Sequence, residues 1–226
     1  GSTNNIFIGK NSGGGTWANV ASIQNVVIGN NSADAALSGA NYNVGMGTNV
    51  YGALTQGDAN SAFGHGSLTA LTTGGSNVAV GNGAGATMTG TSNTTLIGNL
   101  AGTAINSTDA NGTIAIGYEA GASITSGQEA VLVGYLAGHK LTTGDSDTAI
   151  GYKALGGDQT GALTGNSNTA VGRHAMSKAF DSATKNTSMG NQSLESLTNG
   201  SFNTAFGAYA GDDLTTGAYN TYLGYN

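Results

Sequence analysis

The chain contains no proline and no cysteine, and only 8% of its 226 residues are charged. Proline cannot donate a ladder hydrogen bond, so its absence fits a β stack paired on both sides. The absence of cysteine rules out a disulfide framework and a thiol nucleophile. It suits an extracellular protein that does without disulfides and equally a cytosolic one. Six basic residues stand against twelve acidic ones, for a net charge of −6. A nucleic-acid partner needs a basic footprint, and this chain has none. No apolar run approaches the roughly 20 residues of a membrane span, so no membrane insertion is expected of this segment. No secretory leader is recognisable.

What is abundant is glycine, at 40 residues, and it is placed periodically. The pattern Asn-(Ser/Thr/Val)-Ala-(apolar)-Gly recurs as Asn60-Ser61-Ala62-Phe63-Gly64, Asn77-Val78-Ala79-Val80-Gly81, Asn168-Thr169-Ala170-Val171-Gly172 and Asn203-Thr204-Ala205-Phe206-Gly207. Thirteen closing glycines run from Gly9 to Gly224, and seven of the twelve intervals are 17 residues. The residue before each of them is large and apolar, from Ile8 and Ile28 through Ile150 to Leu223. A random low-complexity linker has no reason to keep that slot apolar. A fixed short period specifies a stack of like supersecondary units, which serves more often as scaffold or binding surface than as a single-pocket enzyme.

Within one repeat, the residues at two-residue spacing share a strand face. Ile150 with Thr148 makes a bulky face, and Ala149 with Gly151 a bare one that admits a close neighbour. A second small residue follows three positions after the glycine, as in Ala137, Ala154 and Ala175. A second motif, Leu71-Thr72-Thr73-Gly74 and its equivalents at Leu141 and Leu214, reads as a short strand ending in a turn. The expected fold is all-β: a parallel β-roll or β-helix solenoid of about thirteen 17-residue rungs, each of two short strands and two turns. Two large apolar side chains per rung are few for a free-standing stack. The bare alanine face is therefore expected to pack on identical chains, most simply as a homotrimer around an axis. Asn93, Asn111 and Glu129 depart from the strand motif, which predicts a bulge or local rewinding around residues 93–133. Gly1-Ser2 reads as a tag scar. Residues 3–226 read as a single repeat solenoid, a fragment of a longer fibre, because neither end shows a polar cap.

The motif, with its small residue three positions later, resembles the head repeats of trimeric autotransporter adhesins. It is similar also to the longer repeats of phage tail fibres and of fibre proteins of predatory bacteria. The resemblance spans nearly the whole chain, although the adhesin heads have shorter repeats. It implies a left-handed homotrimeric parallel solenoid, displayed outside the cell on a bacterial surface or a virion, that acts in adhesion or receptor recognition or spaces a separate tip.

Candidate ligand-binding residues lie where the repeat departs from monotony. Tyr118, Tyr135 and Tyr152 each follow the repeat glycine in three successive rungs. They form either a platform for sugar rings of a surface glycan or a plain structural stack. Trp17, the one tryptophan, sits in a lengthened interval, and Asp158 and Gln159 sit in the longest one. Insertions in solenoids protrude, often on the binding face. His65, His139 and His174 occupy three different repeat phases, so they do not build one metal column. Asp145, Asp147, Asp212 and Asp213 lack the calcium-roll repeat. No nucleophile elbow, phosphate loop or in-phase carboxylate pair is present. No enzyme, cofactor or metal is therefore expected. A polysaccharide-cleaving fibre is a minor alternative, because its carboxylates can come from different chains. The main rival is an ice-binding solenoid, since Thr148, Thr169, Thr187, Thr204 and Thr221 share one phase.

Overall fold

The computed structural model describes residues 2–15, 20–156, 161–179 and 182–226. The chain is an all-β solenoid whose repeats each contribute one three-residue parallel strand. It divides into two compact units, Gly1–Gly112 and Thr113–Asn226. The first unit holds β1 (Ile6–Ile8), β2 (Val26–Ile28), β3 (Val44–Met46), β4 (Ser61–Phe63), β5 (Val78–Val80) and β6 (Thr95–Ile97). The second holds β7 (Ile114–Ile116), β8 (Val131–Val133), β9 (Thr148–Ile150), β10 (Thr169–Val171), β11 (Thr187–Met189), β12 (Thr204–Phe206) and β13 (Thr221–Leu223).

Inside each unit the strands pair in sequence order without a register slip. Met46 faces Phe63, which faces Val80, which faces Ile97. Ile150 pairs with Val171 although a 21-residue interval separates their glycines. Extra residues are therefore absorbed in the turns. The glycine that closes each strand cannot be replaced cheaply. Gly134 has φ +140°, and a Cβ there would stand 2.5 Å from the carbonyl oxygen of Gly151 in the next rung. Neither the backbone conformation nor the spacing admits a side chain.

Four columns fill the interior. Two residues before each glycine stands the inward strand residue, and Ala62, Ala79, Ala115, Ala149, Ala170 and Ala205 are fully buried. The small residue three positions after the glycine is buried too, as at Ala137, Ala154 and Ala175. The leucine of the second motif supplies most of the bulk: Leu54, Leu71, Met88, Ile105, Ile124, Leu141, Leu163 and Leu197 are all buried. The fourth column, four residues after the glycine, is left-handed throughout; in several rungs it complements the first in volume, whereas Ala79 with Gly85, Ala115 with Gly121 and Ala205 with Gly211 leave both slots small. Ala62 accompanies Leu68, Gly45 accompanies Tyr51, and Ala149 accompanies Leu155, whereas Leu96 accompanies Gly102 and Leu132 accompanies Gly138. A Cβ on Gly138 would lie 2.6 Å from Leu132 Cδ2, and one on Gly45 2.8 Å from Tyr51 Cε2.

The asparagine of the motif forms a buried polar ladder. Asn60 Nδ2 donates to Asn43 Oδ1 (2.9 Å) and to the Gly74 carbonyl (3.0 Å). Its Oδ1 accepts from the backbone N–H and the Nδ2 of Asn77, both at 3.0 Å. Every hydrogen-bonding atom of the buried amide is thus used, as burial requires. The residue before the asparagine is left-handed, as at Ser76 (φ 60°), and turns the chain into the strand.

Three expectations from the sequence are corrected. A rung has one strand rather than two. The Leu-Thr-Thr-Gly segment is a turn, with an isolated bridge at Leu141–Leu163, although its backbone still bonds rung to rung, as from Thr55 N–H to Thr72 O (3.0 Å). The faces are inverted: the bare alanine face points into the chain's own core, and the bulky residues point out. Finally, residues 93–133 are not bulged in the strand phase. β6, β7 and β8 keep the common repeat position, and the asparagine column is simply occupied by Thr94, Thr113 and Ala130. Thr94 Oγ1 still donates to Asn77 Oδ1 at 2.8 Å.

Candidate functional site

Because the strands are three residues long with the middle one inward, each presents two outward side chains. In the first unit these include Ile8, Met46, Phe63, Val80 and Ile97; in the second, Ile150, Met189, Phe206 and Leu223. Ile8 is 55% exposed, Met46 51% and Phe206 53%. Single exposed apolar residues are ordinary, but rows held at strand spacing are the kind of contiguous patch that marks an interaction surface. On the same face of the second unit, Thr148, Thr169, Thr187, Thr204 and Thr221 align in register.

The three tyrosines do form a ladder. Tyr118 and Tyr135 stack with centroids 5.0 Å apart and planes at 14°, and Tyr135 and Tyr152 at 5.5 Å and 12°. Each ring is between 42% and 48% exposed. The stack follows from the fold, since a residue one past the glycine recurs at strand spacing and planar rings at that spacing lie parallel. Stacked rings cover one another's faces, so the ladder shows solvent its edges and hydroxyls.

Its two ends differ in charge. At one end the neighbouring Glu119 carboxylate raises the Tyr118 phenol above its usual range, and Glu119 also lies 3.6 Å from His139 Nδ1. At the other end Lys153 Nζ and Arg173 Cζ stand 5.6 Å and 5.7 Å from the Tyr152 centroid, and the His174 ring lies 5.3 Å from it at 56°. Two of the six basic residues thus gather on one ring of an acidic protein. Sequence reasoning missed Arg173, although it occupies in the next rung the slot that Tyr152 fills, and it weighed His174 as a metal ligand rather than as a neighbour of the ladder. It also missed a second pair one slot ahead of the asparagine column, Phe202 stacked on Tyr219 at 4.9 Å with Lys185 Nζ 5.4 Å from Phe202.

Trp17, Asp158 and Gln159 lie outside the described residues. The histidines are dispersed, with His65 beside Asn82 Nδ2 (3.3 Å), His139 at Glu119 and His174 at Tyr152. Among the described residues no three His, Asp or Glu side chains converge on a common point. A cleft of about 420 Å³ lies at the last rung between Leu214, Tyr222 and Tyr225, with Asp212 and Asp213 in its wall. No protein-family model, curated protein or solved structure matches the chain.

Proposed function

We propose that this chain is a segment of a homotrimeric extracellular fibre that recognises a cell-surface glycan or an envelope receptor, or that spaces a separate tip which does. The observation that carries the reading is the outward apolar row in each unit. A surface with the repeat's own period is best covered by another object of that period, and a parallel copy of the same chain is the simplest one. Assembly then also multiplies any lateral site, which converts weak contacts into avidity. The lateral site is the tyrosine ladder with Lys153 and Arg173. Its row of hydroxyls and ring edges suits a sugar chain lying along it, and its basic end suits an acidic sugar. The reading is non-enzymatic: it rests on a repeating lateral surface rather than on a single reactive pocket.

The test is a glycan array probed with the whole chain and with Tyr135→Ala and Arg173→Ala. The reading expects retention on one glycan class, loss of retention in Tyr135→Ala, and unchanged circular dichroism. Equal binding by all three proteins removes the ladder from recognition.

A second reading, an ice-binding solenoid, is favoured by one observation: five outward threonines in register on β9–β13. Thermal hysteresis of the purified chain would support it, and its absence at millimolar protein would eliminate it.

A further inference from the structure

The asparagine ladder of the second unit contains one acid. Asp147 occupies the column that Asn168, Asn186, Asn203 and Asn220 continue, and it is fully buried. Its Oδ1 does what an asparagine oxygen does, accepting from Asn168 N–H (2.7 Å) and Asn168 Nδ2 (3.1 Å). Its Oδ2 stands where the other rungs place a donor. At Gly57 a Cβ would meet the Gly74 carbonyl oxygen and Asn60 Nδ2, and that nitrogen donates to that carbonyl. At Gly200 the same pair is the Gly217 carbonyl and Asn203 Nδ2, again hydrogen-bonded. At Gly144 the pair is the Gly165 carbonyl and Asp147 Oδ2. An ionised carboxylate oxygen there faces a carbonyl oxygen with no proton between them, and Oδ2 has no hydrogen-bond partner among the described residues. A buried acceptor turned on an acceptor is costly unless one of them carries hydrogen.

The preceding rung makes a single proton sufficient. An asparagine amide has two hydrogens, one for the previous rung's side-chain oxygen and one for the turn carbonyl. The residue before Asp147 in the column is Ala130, which has no side-chain acceptor. One donation remains, to Gly165, and a carboxylic acid has one hydrogen to give.

We propose that Asp147 acts as a protonated stand-in for asparagine, so that the ladder between β9 and β10 is intact in mild acid and is broken by a buried charge as the solution turns alkaline. Burial, the largest cause, pushes this carboxyl up to about 7, against the opposing bonds from Asn168 and with a smaller push from Asp145. The acidic groups nearest in sequence and rung are Asp145, whose Oδ1 accepts from Gln128 N–H, and Glu129 of the preceding rung, whose Oε2 accepts from the Ser146 hydroxyl. The following rung faces Asp147 with neutral Asn168 and Gly165. Because the native state holds the proton to a higher pH than the unfolded chain, stability falls as pH rises through the native midpoint and is level above it.

The experiment compares the native 226-residue chain with Asp147→Asn in urea unfolding at pH 5.5 and pH 8. The amide restores the donor to Gly165 at every pH. Its second hydrogen faces Ala130 at every pH too, so only the ratio between conditions is informative. Relative to the variant, the native folding constant should fall about thirtyfold from pH 5.5 to pH 8, from the 1.5 units between pH 5.5 and the native midpoint. An unchanged ratio overturns the proposal. In parallel, carboxyl carbon NMR of aspartate-labelled native chain should show one buried aspartate titrating near 7, lost in Asp147→Asn. If all aspartates titrate near 4 the proposal fails, even if the variant does not fold.

Discussion

The volume exchange between the inward strand residue and the left-handed residue six positions later can be tested by moving it. Leu132 is fully buried, with its two terminal methyls 2.6 and 2.9 Å from where a Cβ on Gly138 would stand. Leu132→Ala removes three carbons worth about 0.8 kcal/mol each in transfer, or roughly 2.4 kcal/mol, and adds a cavity term that brings the cost to about 3–5 kcal/mol. Gly138→Leu alone drives a side chain into those methyls, at about 1–3 kcal/mol for overpacking. It adds about 1–2 kcal/mol for placing a side chain at φ +58°. The double substitution recreates the pairing that the next rung already has in Ala149 and Leu155, where Leu155 sits at φ 55°. Only the backbone cost should then remain, so the double variant should be more stable than either single one, with a coupling of about 3 kcal/mol or more. Urea unfolding at one fixed protein concentration measures all four corners, since the proposed assembly would make stability concentration-dependent. Costs that add within about 0.5 kcal/mol would show that the two columns do not share one volume.

Other substitutions probe the remaining columns. Gly134→Ala should cost about 3 kcal/mol or more in the same assay, because its φ and the Gly151 carbonyl both reject a Cβ. Asn60→Asp should copy the Asp147 situation into a fully asparagine rung. It should lose about 2 kcal/mol or more at pH 8, where the acid can donate neither to Asn43 nor to Gly74, and less at pH 5.5, where one donation returns.

The period and the strand slot were legible in the sequence, because each keeps one kind of residue at one phase; a close approach at the glycine was legible too, but the expected neighbour was an identical chain and the actual one is the next rung's carbonyl. The direction of the strand was not legible. Bulk by itself points to the core, yet a rung this narrow already holds a large apolar side chain such as Leu141 and a buried polar one such as Asp147, and it leaves the strand room only for Ala149. Ile150, the larger residue, is therefore turned outward. The Leu-Thr-Thr-Gly run resembled a strand because its backbone does bond from rung to rung, but left-handed residues on either side of it, Gly138 before and Ser146 after residues 141–144, keep the chain turning. The tyrosine stack was legible from phase alone. Its basic end was legible only in part: Arg173 continues the tyrosine slot, whereas Lys153 and His174 lie one position off it. Asp147 is visible in the sequence as an acid, but its membership of the asparagine column shows only in its hydrogen bonds to Asn168.

The inverted faces move the expected assembly surface from Ala149 and Ala170 to the outward row that includes Phe63, Val80 and Ile97 in the first unit and Ile150 in the second. Multi-angle light scattering of the whole chain at micromolar concentration tests this most directly, alongside Phe63→Asp/Val80→Asp, which charges the row without touching the core. The account expects a mass about three times 22.1 kDa for the native chain and a smaller assembly for the charged variant. A folded native species of 22.1 kDa, with the apolar rows left open to water, would contradict it.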